Sequence, residues 1–558
     1  MKKFLYSNLF FLFFLSISIF VIYGKSLSYQ FVDYDNPELI TDRMGFISDY
    51  RNIPSFFVNS CFGDGQDAYY RPILTLSFAF NAIVSGSNPE FYYLTNIALF
   101  ILSIYCIYLF LKELKFDNVV LKFVCLAAAV HPVCVSSVVW IPARNDTLLI
   151  IFLSLSFLFF VRYGEVQKIK HLIYSSLFFM AALFTKETAV ILLPVYFMTA
   201  YCFNIKITKK QIAACFYAFG AVLFFYFFMR HIAVDGQGMF VRIKYLLTSD
   251  IYYKLLRILT YTEKVIMPDN IPVFLYKTNI SLTGILIAAV FVCAVIYAYY
   301  KKIINGRILV FSGVFFALNM LLVLMLNDLC FHRVLFAMLS FIVLIVSVIS
   351  RLKLQYVFLK KYFLGLFIIV FTGFGYASFV QADKYKNSDI FWTNAFLDSP
   401  EYDVVWNGIG KRYLFYKDYQ KAKEFISGAK KIKNNYDYDL NLVTVYIAEG
   451  DLDEAESRLL KLLRLKENLT ALLYLSEIYY VKGDIKKSYD YALRASAIQK
   501  NNIFLLLHQA KLYGALNDWA AVSDVYLKLL KLDGKKQEYY HNLNIARAKS
   551  AAQKNTKL

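Results

Sequence analysis

The chain has 558 residues, 59% of them hydrophobic, with a mean hydropathy of +0.49 and a formal charge of +20. An ordinary soluble domain is roughly 45–50% apolar, so this composition points to a polytopic membrane protein. It argues against nucleic-acid binding as the source of the charge, because the basic residues fall in short loops between apolar runs rather than on one basic face. The eight cysteines show no CxxC or Cys/His spacing, which leaves neither a disulfide framework nor a zinc site to expect.

Residues 1–23 carry Lys2 and Lys3 and then stay apolar to Tyr23, with no convincing small-residue cleavage site at Gly24-Lys25-Ser26; they read as an uncleaved first span. Apolar stretches suited to crossing ~30 Å of hydrocarbon follow at about 91–111, 119–138, 147–163, 171–185, 188–204, 211–230, 280–300, 307–327, 333–350 and 361–380, giving eleven spans in all. Residues 72–84 are too short to span and read as an interfacial helix. With the N-terminus in the cytoplasm, the loops with Lys112 and Lys115, Arg162 to Lys170, Lys206 to Lys210, Lys301 to Arg307 and Arg351 to Lys361 all fall on the cytoplasmic side. Loops 24–90 and 231–279 and the tail are then extracytoplasmic.

The expected domains are a membrane domain over 1–380 and a second domain over 381–558. Within the tail, Lys417-Asp418-Tyr419, Gly450-Asp451-Leu452, Gly483-Asp484-Ile485 and Asn517-Asp518-Trp519 recur at steps of 33, 33 and 34. That is the helix–turn–helix period of tetratricopeptide repeats. Ala422 and Ala455 take the position where a small side chain lets paired helices approach, and Ser488 and Val522 replace them in the later repeats. The expected fold class is therefore all-α, a membrane helix bundle followed by an α-solenoid. A spacer role for the solenoid and direct acceptor contact are both open.

Ionisable groups at a membrane lip mark sites or pathways. Five clusters qualify, and the topology places all of them outside the cytoplasm. Asp33, Asp35 and Glu38 lie in the first outer loop, where one carboxylate could act as general base or all three could belong to a solvated turn. His131-Pro132 precedes Trp140, Arg144 and Asp146; Arg144 and Asp146 could pair with each other or with other loop groups. Lys186-Glu187 interrupts 32 nearly apolar residues and suggests two half-length helices meeting at a charged turn. Arg230-His231 opens the long second loop. His332-Arg333 follows Asn327-Asp328, and an arginine there suits phosphate as well as a snorkelling anchor. No Walker loop, dinucleotide turn or Ser/His/Asp spacing occurs, so ATP-driven transport and cofactor redox chemistry have no residues to carry them.

In order, Phe31-Val32-Asp33-Tyr34-Asp35-Asn36-Pro37-Glu38, Tyr70-Arg71-Pro72, Asn88-Pro89, His131-Pro132-Val133, Trp140, Arg144, Asp146, Thr185-Lys186-Glu187-Thr188, Met267-Pro268-Asp269-Asn270 and His332-Arg333 resemble one family. It is the GT-C fold membrane glycosyltransferases with C-terminal tetratricopeptide repeats, which include transmembrane O-mannosyltransferases and bacterial relatives. The resemblance covers nearly all of residues 20–550. It implies a polyprenyl-phosphate-linked sugar donor, mannose or another hexose, and an extracytoplasmic protein or glycan acceptor, which the repeats could hold. Transfer would invert the anomeric carbon with Asp35 as base. The donor and its phosphate would be bound by a set drawn from Arg333, Arg144, Lys186, Glu187, His131, Asp146, Arg71 and His332. It also implies a bacterial inner or cell membrane and no nucleic-acid partner. Asn36 stands where relatives often have a second acid, which puts a divalent cation in question, and Tyr93 stands where they often have His. Two other functions stay open: a ligase or oligosaccharyltransferase moving a preassembled glycan, and a non-enzymatic membrane-anchored scaffold.

Overall fold

A computed structural model describes residues 8–62, 69–234, 251–276, 282–324, 331–351, 357–499, 503–532 and 537–555. Lys2-Lys3 and Asn327-Asp328 lie outside them. The protein is all-α, with two compact units, Met1–Ser399 and Pro400–Leu558.

In the first unit, six helices among the described residues are long and apolar enough to cross a membrane: Asn8–Ser28, Pro89–Glu113, Ile141–Val166, Lys209–Ala233, Thr283–Tyr300 and Leu364–Tyr385. A bent pair, Asn118–Ala129 and Pro132–Val139 at 58°, is long and apolar enough when taken together to be a broken span or a re-entrant segment. The remaining four expected spans are shorter apolar helices, Ile169–Thr185, Glu187–Cys202, Gly306–Leu321 and Met338–Arg351. At 1.5 Å per residue, the 17 residues of Ile169–Thr185 reach only about 26 Å. Eleven full-length spans are therefore not what the described residues contain. Two of the departures matter for the site, because backbone that leaves the helix at membrane depth is tolerated only where protein or a cavity covers it.

The first break is made by Pro132. A proline disfavours the helical region for the residue before it, and His131 is extended at φ −72° and ψ 131°. The second is at Lys186, extended at φ −156° and ψ 127° between Ile169–Thr185 and the 3₁₀ turn Glu187–Leu192. Two half-length helices do meet at a charged turn there. Residues 72–84 form the helix Pro72–Ser85, with proline in its first turn and Gly86 at φ +61° just past its end.

Residues of the positively charged loops make contacts with one another and with neighbouring helix ends. Lys115 pairs with Glu165 at 2.7 Å and Arg162 with Glu113 at 3.0 Å. Arg307 donates to Asn204. The expected boundary at 380/381 does not match the division at 399/400. Residues 381–399 pack onto the first unit: the backbone N–H of Gln30 donates to Lys386 O at 3.0 Å, and Asp383 accepts from Tyr29 at 2.7 Å and pairs with Lys25 at 2.8 Å.

The second unit consists of helix pairs: Asp403–Phe415 with Tyr419–Ile432, Tyr436–Glu449 with Leu452–Leu465, Leu469–Val481 with Ile485–Ile498, and Ile503–Ala515 with Trp519–Leu532, followed by Gln537–Asn555. One turn design joins every pair. A left-handed residue (Lys417, Gly450, Gly483 or Asn517) precedes an Asp that caps the next helix. Asp418, Asp451, Asp484 and Asp518 accept from the N–H of Lys421, Glu454, Lys487 and Ala521 at 3.0–3.2 Å. Ala422, Ala455 and Ser488 are completely buried, and a Cβ on Gly410 would come within 2.5 Å of Ile426 in the facing helix. Ser488 fits because its Oγ donates to Ser476 O at 2.6 Å; Ser476 Oγ in turn lies 2.7 Å from His508 Nε2. Repeats stacked by such pairings form a tetratricopeptide α-solenoid.

Candidate active site

The break after Thr185 sends two adjacent charges to different elements. Lys186 Nζ reaches Asp146 Oδ1 at 2.6 Å, and Asp146 sits in the first turn of Arg144–Val166, where a helix favours negative charge. Glu187 takes a two-point bond from Arg71, at 3.0 and 3.1 Å, from the residue that opens Pro72–Ser85. Asp146 thus pairs with Lys186 and not with Arg144.

His332, on the single turn Phe331–Val334, puts Nε2 3.9 Å from Asp146 Oδ2 and its ring 4.9 Å from that of Trp140. Arg333, half-buried beside it, is close enough to Lys186 and His332 to act on both electrostatically. Three buried polar atoms in this group have no hydrogen-bond partner among the described residues: Asp146 Oδ2, His332 Nδ1 and Trp140 Nε1. Such atoms are rare inside proteins.

The loop after the first span lies against the same group. Tyr34 stacks on Trp140 at 5.8 Å and on Phe391 at 6.2 Å, with the Phe274 and Trp392 rings edge-on at 5.2 and 5.6 Å. Asp33 Oδ1 accepts from Trp392 Nε1 at 2.7 Å, and its backbone N–H donates to Ser388 Oγ at 3.0 Å. Asp35 is half-buried and left-handed, at φ +63°. Asn36 is buried and donates from Nδ2 to Val32 O at 2.8 Å, a bond that an ionised carboxylate could not make. Glu38 is exposed. A small cleft opens between Trp140, Val273, Phe274, His332, Tyr385 and Phe391. No three His, Cys, Asp or Glu side chains converge as a metal cradle among the described residues.

Two of the expected donor-binding residues have their polar atoms taken up by protein groups. Arg144 is completely buried and its guanidinium is committed to protein: Nε donates to Asn96 at 2.6 Å, Nη1 to Asn81 at 2.7 Å and Ser77 O at 3.0 Å, and Nη2 to Tyr92 O at 3.0 Å. His131 is also buried; its Nδ1 accepts from Val133 N at 3.2 Å and its Nε2 lies 2.9 Å from Val265 O. The physical reason is the same for both: each stabilises a helix break or junction whose polar groups would otherwise be unpaired. Tyr93 is buried and donates to Gln30 O at 2.9 Å, securing the start of the loop. Sequence reasoning missed Trp392, Ser388, Phe391 and Phe274; the placement of one of only four tryptophans just beyond the last span was the available signal.

Fold and site together describe a polytopic membrane protein with a buried charged cluster, followed in the chain by a tetratricopeptide solenoid. Residues 72–233 match the family model described as dolichyl-phosphate-mannose-protein mannosyltransferase. The chain is 26% identical over 176 residues to the protein O-mannosyl-transferase Tmtc1 of Drosophila melanogaster, covering 31% of this chain and 20% of that protein. It is 32% and 31% identical over 152 residues to the TMTC1 proteins of mouse and human, covering 25% of this chain and 15% and 16% of theirs. The chain thus spans a fifth or less of the length of the curated relatives it matches. A solved APC/C hetero-tetramer, Cut9-Hcn1, is similar at 13% identity over 77% of this chain and 81% of that one, with a TM-score of 0.28. The chain resembles the GT-C membrane glycosyltransferases with C-terminal tetratricopeptide repeats.

Proposed function

We propose that the protein is a membrane glycosyltransferase that moves a hexose, such as mannose, from a polyprenyl-phosphate donor to a hydroxyl of an extracytoplasmic protein or glycan. The observation that carries this reading is the group of unpartnered buried atoms on Asp146, His332 and Trp140 directly beneath the Asp35 loop. They are polar groups whose hydrogen bonds a bound sugar phosphate would complete. The match of residues 72–233 to a mannosyltransferase family supports the same reading.

The reaction asks for a base, an electrophile and a place for negative charge. Asp35 takes the proton of the acceptor hydroxyl as its oxygen attacks the anomeric carbon. The bond from that carbon to the phosphate oxygen breaks on the opposite face, so the configuration inverts and the electron pair leaves with the lipid phosphate. Arg333, with Lys186 behind it, stabilises that departing charge, where fixed cations in a water-poor site are most effective. Arg71 serves by holding Glu187, and through it the charged turn. On this reading the Asp35 loop and the solenoid face the outside, and the lysine- and arginine-rich loops face the cytoplasm of a bacterial cell.

Purified protein in nanodiscs, given a radiolabelled polyprenyl-phosphate hexose and an acceptor peptide, should add the mass of one hexose. Asp35→Asn should lower kcat by about 100-fold or more. Transfer of a preassembled repeat unit, or an Asp35→Asn protein as fast as the parent, would overturn the assignment.

A further inference from the structure

Residues 381–399 run from the end of the last crossing, Leu364–Tyr385, to the start of the solenoid, yet they belong to the membrane unit. Their contacts fall on two segments far apart in sequence. On one side they hold the loop after the first span: Asp383 binds Lys25 and Tyr29, Lys386 O accepts from Gln30, and Ser388 and Trp392 both bind Asp33. On the other side they hold residues 270–274. Asp398 Oδ2 accepts from Val273 N at 2.9 Å, and Ser399 Oγ donates to Phe274 O at 2.8 Å. Lys384 donates to Asn270 Oδ1 at 2.9 Å and Ile271 O at 3.0 Å, and pairs with Asp398 at 3.1 Å.

The two held segments meet at Tyr34, whose ring is enclosed by Phe274, Phe391 and Trp392 as well as Trp140. Immediately after Tyr34 comes Asp35, in a left-handed conformation that is uncommon for non-glycine residues, though aspartate adopts it more readily than most. Asp33, two residues before it, is fixed at both its backbone N–H and its carboxylate by the helix Ser388–Asp398. An aspartate that accepts an indole N–H in this way has a structural use that does not require it to exchange protons.

We infer that the helix Ser388–Asp398 is a positioning element for the opening loop, with Trp392 acting through Asp33 to set the angle at which Asp35 meets the acceptor hydroxyl. The inference rests on the glycosyltransferase reading for its catalytic half. Trp392 and Asp33 are positioning residues, and Asp35 is the base. A base displaced by a fraction of an ångström still binds substrate but reacts more slowly, because orientation contributes to the barrier and not to donor affinity. The effect of losing the brace therefore falls on kcat.

The test uses the full-length protein in nanodiscs and two readouts. Trp392→Phe keeps an aromatic ring and removes the N–H; Ser388→Ala is a second, milder variant. Hydrogen–deuterium exchange across residues 31–40 should rise about tenfold in Trp392→Phe while the Arg144–Val166 helix is unchanged. In transfer assays with polyprenyl-phosphate mannose, kcat should fall about tenfold with KM for the donor within twofold. Asp33→Asn keeps the acceptor oxygen and should retain more than half of the parent's kcat, whereas Asp33→Ala should fall as Trp392→Phe does. Unchanged exchange in both Trp392→Phe and Ser388→Ala overturns the brace. A 100-fold loss in Asp33→Asn overturns the division of roles and makes Asp33 the base. A parent that transfers no sugar from any polyprenyl phosphate overturns the glycosyltransferase reading and the catalytic half with it, and the exchange data then decide the structural half alone.

Discussion

Lys186 Nζ lies 2.6 Å from Asp146 Oδ1, and each side chain is about nine-tenths buried. Two charges removed from water in this way stabilise each other only as a pair, so removing one leaves the other without compensation. Lys186→Met should destabilise the membrane unit by about 3–5 kcal/mol, and Lys186→Met with Asp146→Leu should recover most of it. Thermal unfolding in detergent measures the first effect. Transfer assays on the double variant separate it from function: stability returns and activity does not.

Arg144 gives the opposite pattern. Its guanidinium serves four residues on two helices, and a lysine, with one point-like ammonium, cannot reproduce that fork. Arg144→Lys should lower stability by roughly 2–4 kcal/mol, as expected when several buried acceptors lose their donors. Donor KM of the protein that survives should stay within twofold of the parent. A rise in KM without a fall in melting temperature would return Arg144 to the donor site.

The repeat turns allow a matched comparison. Gly450 sits at φ +91° and Asn517 at φ +58° in equivalent turns. Gly450→Ala should cost about 1 kcal/mol because an added Cβ disfavours the left-handed region. Asn517→Gly should change stability by less than about 0.5 kcal/mol, since relief of that strain is offset by a freer unfolded chain. Urea unfolding of residues 400–558 measures both.

His508 makes the solenoid sensitive to acid. Burial, with a smaller contribution from Lys511, lowers its pKa to about 4 from an ordinary value of 6.5. The folded state therefore holds a neutral imidazole beside Ser476 that the unfolded chain protonates first. Stability from this group is complete above pH 6.5, declines as pH falls towards 4, and is constant below that. The loss should total about 3 kcal/mol. Melting of residues 400–558 between pH 7 and pH 4 should show it, and His508→Gln should flatten the profile.

Much of the fold is legible in the chain because its signals are local. A turn residue before a capping aspartate, repeated every 33 residues, requires no knowledge of the partner helix. Lys186-Glu187 between apolar runs and Pro132 after His131 mark their breaks in the same way. Pairings are a different matter. Lys186 and Asp146 are 40 residues apart and Arg71 and Glu187 are 116 apart, and nothing in either local sequence states which charge meets which. For the same reason His131 and Arg144 read as site residues, although their polar groups are used to hold the backbone. Residues 381–399 lack both the apolar length of a span and the repeat period, so composition assigns them to the tail. Asn36, which the resemblance reads as a departure from a second acid, supplies a buried amide donor to Val32 O, a structural use for that side chain.

The bond between Trp392 and Asp33 joins residues 359 positions apart. At roughly 5–20 residues per second, synthesis of that interval takes about 20–70 seconds. During this time the loop with Asp35 is already made, while Ser388 and Trp392 do not yet exist. The loop is thus completed by a segment made 359 positions later, and a chain interrupted between them carries a loop without its brace.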